Sequence, residues 1–158
     1  MTATEIENTI RLISKRLTEI DDHTPEMTGM DWANDHGWIS SEEWHAADEK
    51  SRDGVSLQND EVAKIEALRT SEPQATTEFT EALLLRLKKT QQQLETAAHA
   101  ANKQSTEFAM RFNLALLPDI IATIEDWHRG KEPRHWLAWA WRVVFRIVEE
   151  CEKSIGHG

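Results

Sequence analysis

The sequence predicts an all-α protein: a bundle of five to six helices, with one long helix over about 77–116 and an apolar C-terminal helix. Three observations carry this prediction. Apolar and small residues recur at spacings of four and three in two separate stretches: Ile6, Ile10, Ile13, Leu17 and Ile20, then Leu83, Leu87, Thr90, Leu94, Ala97 and Ala101. That rhythm keeps one helix face apolar. Pairs of Ser or Thr followed three residues later by Glu mark helix starts. No persuasive strand pattern occurs. At 158 residues the chain has the size of one helical domain, 1–158, and can bury a core without covalent staples.

The first helix is opened by Thr4 and Glu7, which have the spacing of a capping box. A helix this short is marginal alone in water, so its isoleucine seam must pack on another helix, its own or a second copy's. Residues 21–40 read as an irregular acidic loop, punctuated by Pro25, Gly29 and Gly37. Met27, Met30, Trp32, Trp38 and Ile39 suggest that this loop is packed down. Ser40 and Glu43 make a second capping box. They start a short helix that contains Trp44 and ends near Asp53-Gly54.

A third helix is expected from Asn59 to about Thr70, burying Val62, Ile65 and Leu68, with Pro73 closing it. The long fourth helix starts near Thr76 or Thr77 and meets no breaker before Pro118, which either kinks it or opens a new first turn. Its middle, 91–104, is thin in large apolar residues, so it could project from the core. Ile120, Ile121, Ile124 and Trp127 follow, and Gly130 is a good helix stop. Pro133 opens the last helix, which runs to about Ser154 and is apolar on nearly all sides, the mark of a central position.

Charge narrows the function classes. The net charge of −10 is regional. Residues 21–53 hold ten carboxylates against Lys50 and Arg52, a net of −8, whereas 111–158 is neutral. A nucleic-acid binder shows a basic footprint, so the acidity argues against direct nucleic-acid binding; an acidic region suits a basic protein partner. The lone Cys151 forms no internal disulfide and sits in an apolar helical pattern, where a thiol is inert. Residues 1–20 carry Glu5, Glu7, Arg11, Lys15 and Arg16, so no signal-peptide core exists there, and no stretch has the ~20 apolar residues of a membrane span. Cytoplasmic residence is the expectation.

Two Glu-x-x-His pairs occur, Glu42 with His45 and Glu125 with His128. An i, i+3 pair shares a helix face. In this the residues partly resemble ferritin-like di-metal bundles, where two such pairs join glutamates from two further helices. The resemblance implies a metalloprotein with Glu42, His45, Glu125 and His128 as ligands and Glu7 and Glu95 as candidate bridges. The same residues also suit helix ends, Glu42 at an N-terminus and His128 at a C-terminal dipole. Asp31, Asp35 and Glu42 have part of the spacing of a calcium loop, though Ala33 supplies no ligand and His36 stands where glycine is required. Arg129 followed by His135 has a spacing similar to that of helical ribonuclease domains of the HEPN type. No nucleophile elbow, phosphate loop or Cys-x-x-Cys occurs.

The seven tryptophans fall into two groups, Trp32, Trp38 and Trp44, then Trp127, Trp136, Trp139 and Trp141. Each group suits either core packing or a partner-binding patch. The expected function is therefore a non-catalytic protein-interaction role: adaptor, assembly factor or inhibitor. Trp32, Asp35, Trp38, Glu42, Glu43 and Trp44 are the candidate contact residues, and no cofactor is expected. A helical metalloprotein and a metal-free hydrolase or nuclease are the alternatives. The two seams can pair within one chain or form a homodimer contact.

Overall fold

The computed structural model describes residues 1–100 and 106–156. Among the described residues six helices follow one another: α1 (Ala3–Asp22), α2 (Met27–Asp35), α3 (Ser41–Ser71), α4 (Pro73–Ala100), α5 (Thr106–His128) and α6 (Leu137–Gly156). No strand occurs among the described residues. The predicted all-helical bundle is what is found.

Several boundaries differ from expectation, each for a local reason. The capping box of α1 is Thr2 with Glu5, one of two pairs with the same spacing. The Glu5 amide donates to Thr2 Oγ1 at 3.2 Å, and the Thr2 amide donates to Glu5 Oε1 at 3.4 Å. The short helix and third helix expected on either side of Gly54 are one helix, α3. A glycine that stops a helix adopts a positive φ, as Gly37 and Gly130 do at 71° after α2 and α5, and Gly54 does not. Gly54 is needed for a close approach: a Cβ there would stand 2.1 Å from Thr24 Oγ1. Pro73 does end α3, but it also opens α4, separated from α3 by Glu72 alone. The Thr76 hydroxyl reaches back across this corner to the Leu68 carbonyl at 3.1 Å.

The stretch expected as one helix over about 77–116 is found as α4 and α5, packed antiparallel. Lys88 Nζ lies 2.7 Å from Glu125 Oε1, and Glu81 faces His128 at 3.6 Å, so the registers run in opposite directions. Ala101 and the end of the thin segment at Gln104 lie outside the described residues. Pro118 sits inside α5, which continues through it. The last helix starts at Leu137, four residues after Pro133.

Most of both seams is buried inside the chain. Ile6, Ile10, Ile13 and Leu17 are buried, as are Leu83, Leu87, Thr90 and Leu94. Helix α6 packs on α1, α3, α4 and α5, as α4 packs on α1, α3, α5 and α6, and it keeps Arg146, Glu150 and Lys153 on an exposed face. Its Trp141 is fully buried, with Trp127 edge-on at 5.5 Å and Phe79 stacked at 6.4 Å. Each such large side chain contributes about 1.5–3 kcal/mol through burial. Ion pairs stitch the rim. Glu152 accepts from Arg86 Nε at 2.9 Å and Nη2 at 2.5 Å, and Arg11 reaches Glu149 at 2.7 Å. No helix among the described residues is long and apolar enough to cross a membrane.

Candidate functional site

Helix α2 stands apart from the bundle. Among the described residues it packs only on α3, and none of its own residues is buried. The first buried residue of α3 is Gly54, so positions 41–53 also carry no buried side chain. Together α2 and the start of α3 form a helical hairpin, an arm that extends beyond the core. Thirteen helical residues span about 20 Å.

The segment expected to be irregular contains α2 because Glu26 caps it. Its carboxylate accepts from the Thr28 amide at 2.9 Å and the Gly29 amide at 3.0 Å. These bonds hold the Glu26 carboxyl below its usual range, with the Gly29 amide the largest cause. The helix ends where His36 Nδ1 meets the Trp32 carbonyl at 2.8 Å and Gly37 turns left-handed. Trp44 clamps the hairpin: its Nε1 donates to Asp31 Oδ1 at 2.6 Å.

All six candidate contact residues lie on this arm. Trp32 is 51% exposed and Trp38 is 74% exposed, with their rings edge-to-face at 5.3 Å. Trp32 also stacks on His36 at 4.3 Å. Asp35, Glu42 and Glu43 are exposed around them. Trp44 is half-buried and holds the arm together, and Glu43 completes the α3 capping box with Ser40. The other group of tryptophans serves mainly the interior. Trp127 and Trp141 are buried, Trp139 is half-buried, and Trp136 is partly exposed with its Nε1 on Asn59 Oδ1 at 3.0 Å.

The two Glu-x-x-His pairs are not brought together. Glu42 and His45 sit in the first turns of α3, exposed on the arm. The other end of α3 meets the end of α5, where Trp127 Nε1 donates to Glu66. The 21 residues from His45 to Glu66 put the pairs about 30 Å apart along the helix axis. Glu125 is held by Lys88 at 2.7 Å and Arg129 at 3.4 Å, and Glu7 is held by Arg11 at 3.1 Å. Glu95 is exposed on α4. Among the described residues no three His, Cys, Asp or Glu side chains converge as metal ligands. The calcium-loop spacing fails because Asp31 and Asp35 lie within α2. Arg129 and His135 turn to different carboxylates, Arg129 to Glu125 and His135 to Asp119 at 3.3 Å.

A cleft of about 380 Å³ lies between α4 and α5, lined by Glu81, Leu84, Leu85, Lys88, Glu125, His128 and Arg129. It holds no hydroxyl or thiol to act as a nucleophile, and its charges largely pair with one another. Cys151 is buried in α6, and burial beside Glu150 and Glu152 pushes its thiol up to about 11. Comparison with protein-family models, curated proteins and solved structures gives no match.

Proposed function

We propose that this protein is a non-catalytic interaction protein, an adaptor, assembly factor or inhibitor acting in the cytoplasm, and that its arm engages a basic protein surface. One observation carries the proposal. Trp32 and Trp38 stand exposed, ring against ring, on a hairpin that the core does not need, in the most acidic part of the chain. Exposed aromatic clusters mark contact sites, and tryptophan is enriched among residues that dominate binding energy. The surrounding carboxylates would steer a cationic partner and make its association sensitive to salt.

The test is affinity capture of a partner identified by mass spectrometry, followed by measured binding of that purified protein. Trp38→Ala should weaken binding by at least about thirtyfold, the effect of losing a 2 kcal/mol anchor. Asp35→Asn with Glu42→Gln should flatten the salt dependence. Binding that ignores salt and survives both changes would discard the proposal.

A further inference from the structure

Where the arm joins the bundle, the end of α1 and the middle of α3 enclose a cleft of about 350 Å³. Its floor is apolar, built from Ile20 and Leu57, and Thr24 closes against Gly54 at one end. Leu57 is 53% exposed, a large apolar side chain left uncovered. Its volume is at the lower end for binding cavities, room for one or two large side chains.

The lips of this cleft carry unanswered charge. Glu19 and Asp53 line it directly. Glu49 lies one helical turn before Asp53 on α3, whereas Asp22 on α1 lines a different cleft, with Arg142 and Arg146. Among the described residues none of Glu19, Glu49 and Asp53 has an ion pair, whereas neighbouring Asp21 is held by Arg142 at 2.7 Å. Few cations offset them: Lys50 lines the cleft unpaired, Arg52 is engaged by Asp48 at 2.9 Å, and His23 Nδ1 sits on the Glu19 carbonyl. The last turn of α1 has no basic residue, so the helix end adds its own partial negative charge to these carboxylates.

We propose that this cleft receives one large apolar side chain from a basic amphipathic helix of the partner. A helix suits the site because residues one turn either side of the anchor share its face. Lysines or arginines there reach Glu19 on one lip and Glu49 and Asp53 on the other. The inference rests on the interaction role proposed above, and extends it from the arm to the joint where the arm begins.

The probe is a fluorescein-labelled, lysine-rich helical peptide with a single central leucine, titrated against the full chain by fluorescence anisotropy. Replacing the peptide's leucine by serine should weaken binding at least about tenfold, the effect of losing one buried apolar side chain. Leu57→Glu should weaken the leucine peptide similarly, although it makes the protein more acidic, and Leu57→Met should restore binding. Simple charge attraction predicts the opposite sign for Leu57→Glu. Equal or tighter binding by that variant, or equal binding of the serine peptide, overturns the proposal. Trp38→Ala separates the two ideas. Sensitivity to Leu57→Glu without sensitivity to Trp38→Ala supports the cleft and counts against the arm, and the reverse sinks the cleft and leaves the arm. Far-ultraviolet dichroism of each variant checks that the exposed substitutions leave the fold intact.

Discussion

Replacing Gly54 by alanine sets two effects of opposite sign against each other. Within a helix alanine is favoured over glycine by about 1 kcal/mol. The new methyl, however, would stand 2.1 Å from Thr24 Oγ1, 2.7 Å from its Cγ2 and 2.9 Å from its Cβ. The Thr24 hydroxyl does not swing aside freely, because it donates to the Ile20 carbonyl at 2.7 Å, and rotation leaves the Cβ contact unchanged. Overpacking of this kind costs about 1–3 kcal/mol, and three clashing atoms put it in the upper part of that range. After the helical gain is offset, Gly54→Ala should lose about 1–2 kcal/mol. Urea denaturation followed by far-ultraviolet dichroism measures this directly. Thermal melting should show a fall of roughly 2–8 °C for a chain of this size. Thr24→Gly removes all three opposing atoms, so the double variant should recover most of the loss, with a coupling of at least about 1 kcal/mol. If Gly54→Ala instead raises stability, the crossing of the 24–25 turn over α3 has slack, and close approach is not why glycine stands there.

Further measurements address the core, the ion pairs and the thiol. Ile10→Ala, at a fully buried seam position, should cost about 2–5 kcal/mol in the same assay, whereas Leu85→Ser, on a largely exposed side chain, should stay within about 0.5 kcal/mol. Besides Glu26, two carboxyls are held below the ordinary value of 4.5. For Glu61 burial alone would raise it, but hydrogen bonds and charge from Lys64 and Arg16 outweigh that; for Glu152 the Arg86 hydrogen bond leads. A carboxyl lowered by folding contributes stability that is fully present above 4.5 and lost as pH falls through the lower folded value. Stability should therefore decline on acidification below about 4.5, and less steeply in Glu61→Gln; an unchanged slope in that variant would show that Glu61 plays no part. Cys151 should resist thiol reagents at mildly alkaline pH, since a value of about 11 leaves few molecules as thiolate, and should react at once in denaturant. Rapid labelling of the native protein would contradict its burial.

Much of this architecture was legible because helical periodicity is a local signal. Ile6, Ile10, Ile13 and Leu17 repeat at the spacing of one helix face, and the buried face is theirs. The apolar run from Leu137 to Val148 likewise announced a helix enclosed by its neighbours. What periodicity could not disclose were contacts between distant residues. Gly54 read as a helix end because its reason, Thr24, lies thirty positions away. Helix α2 escaped notice because its cap is a glutamate, and Gly29 lies in its first turn. The candidate surface was legible as a cluster of types, tryptophan with carboxylate, between 32 and 44. That these rings stand in the open is a property of the fold, since Trp141 and Trp127 have the same side chain and lie in the core. The cleft at Ile20 and Leu57 joins two helices with no sequence motif in common, and only their packing brings it into view.

The packing of α6 on four other helices has a consequence for how the chain comes into being. Until Leu137–Gly156 has been made, α1, α3, α4 and α5 can pack on one another, but the faces that meet α6 stay open. At about 5–20 residues per second, the earlier helices wait for several seconds with their isoleucines and leucines in contact with water. A nascent chain halted before α6 should thus be a client for chaperones and an easy substrate for proteases.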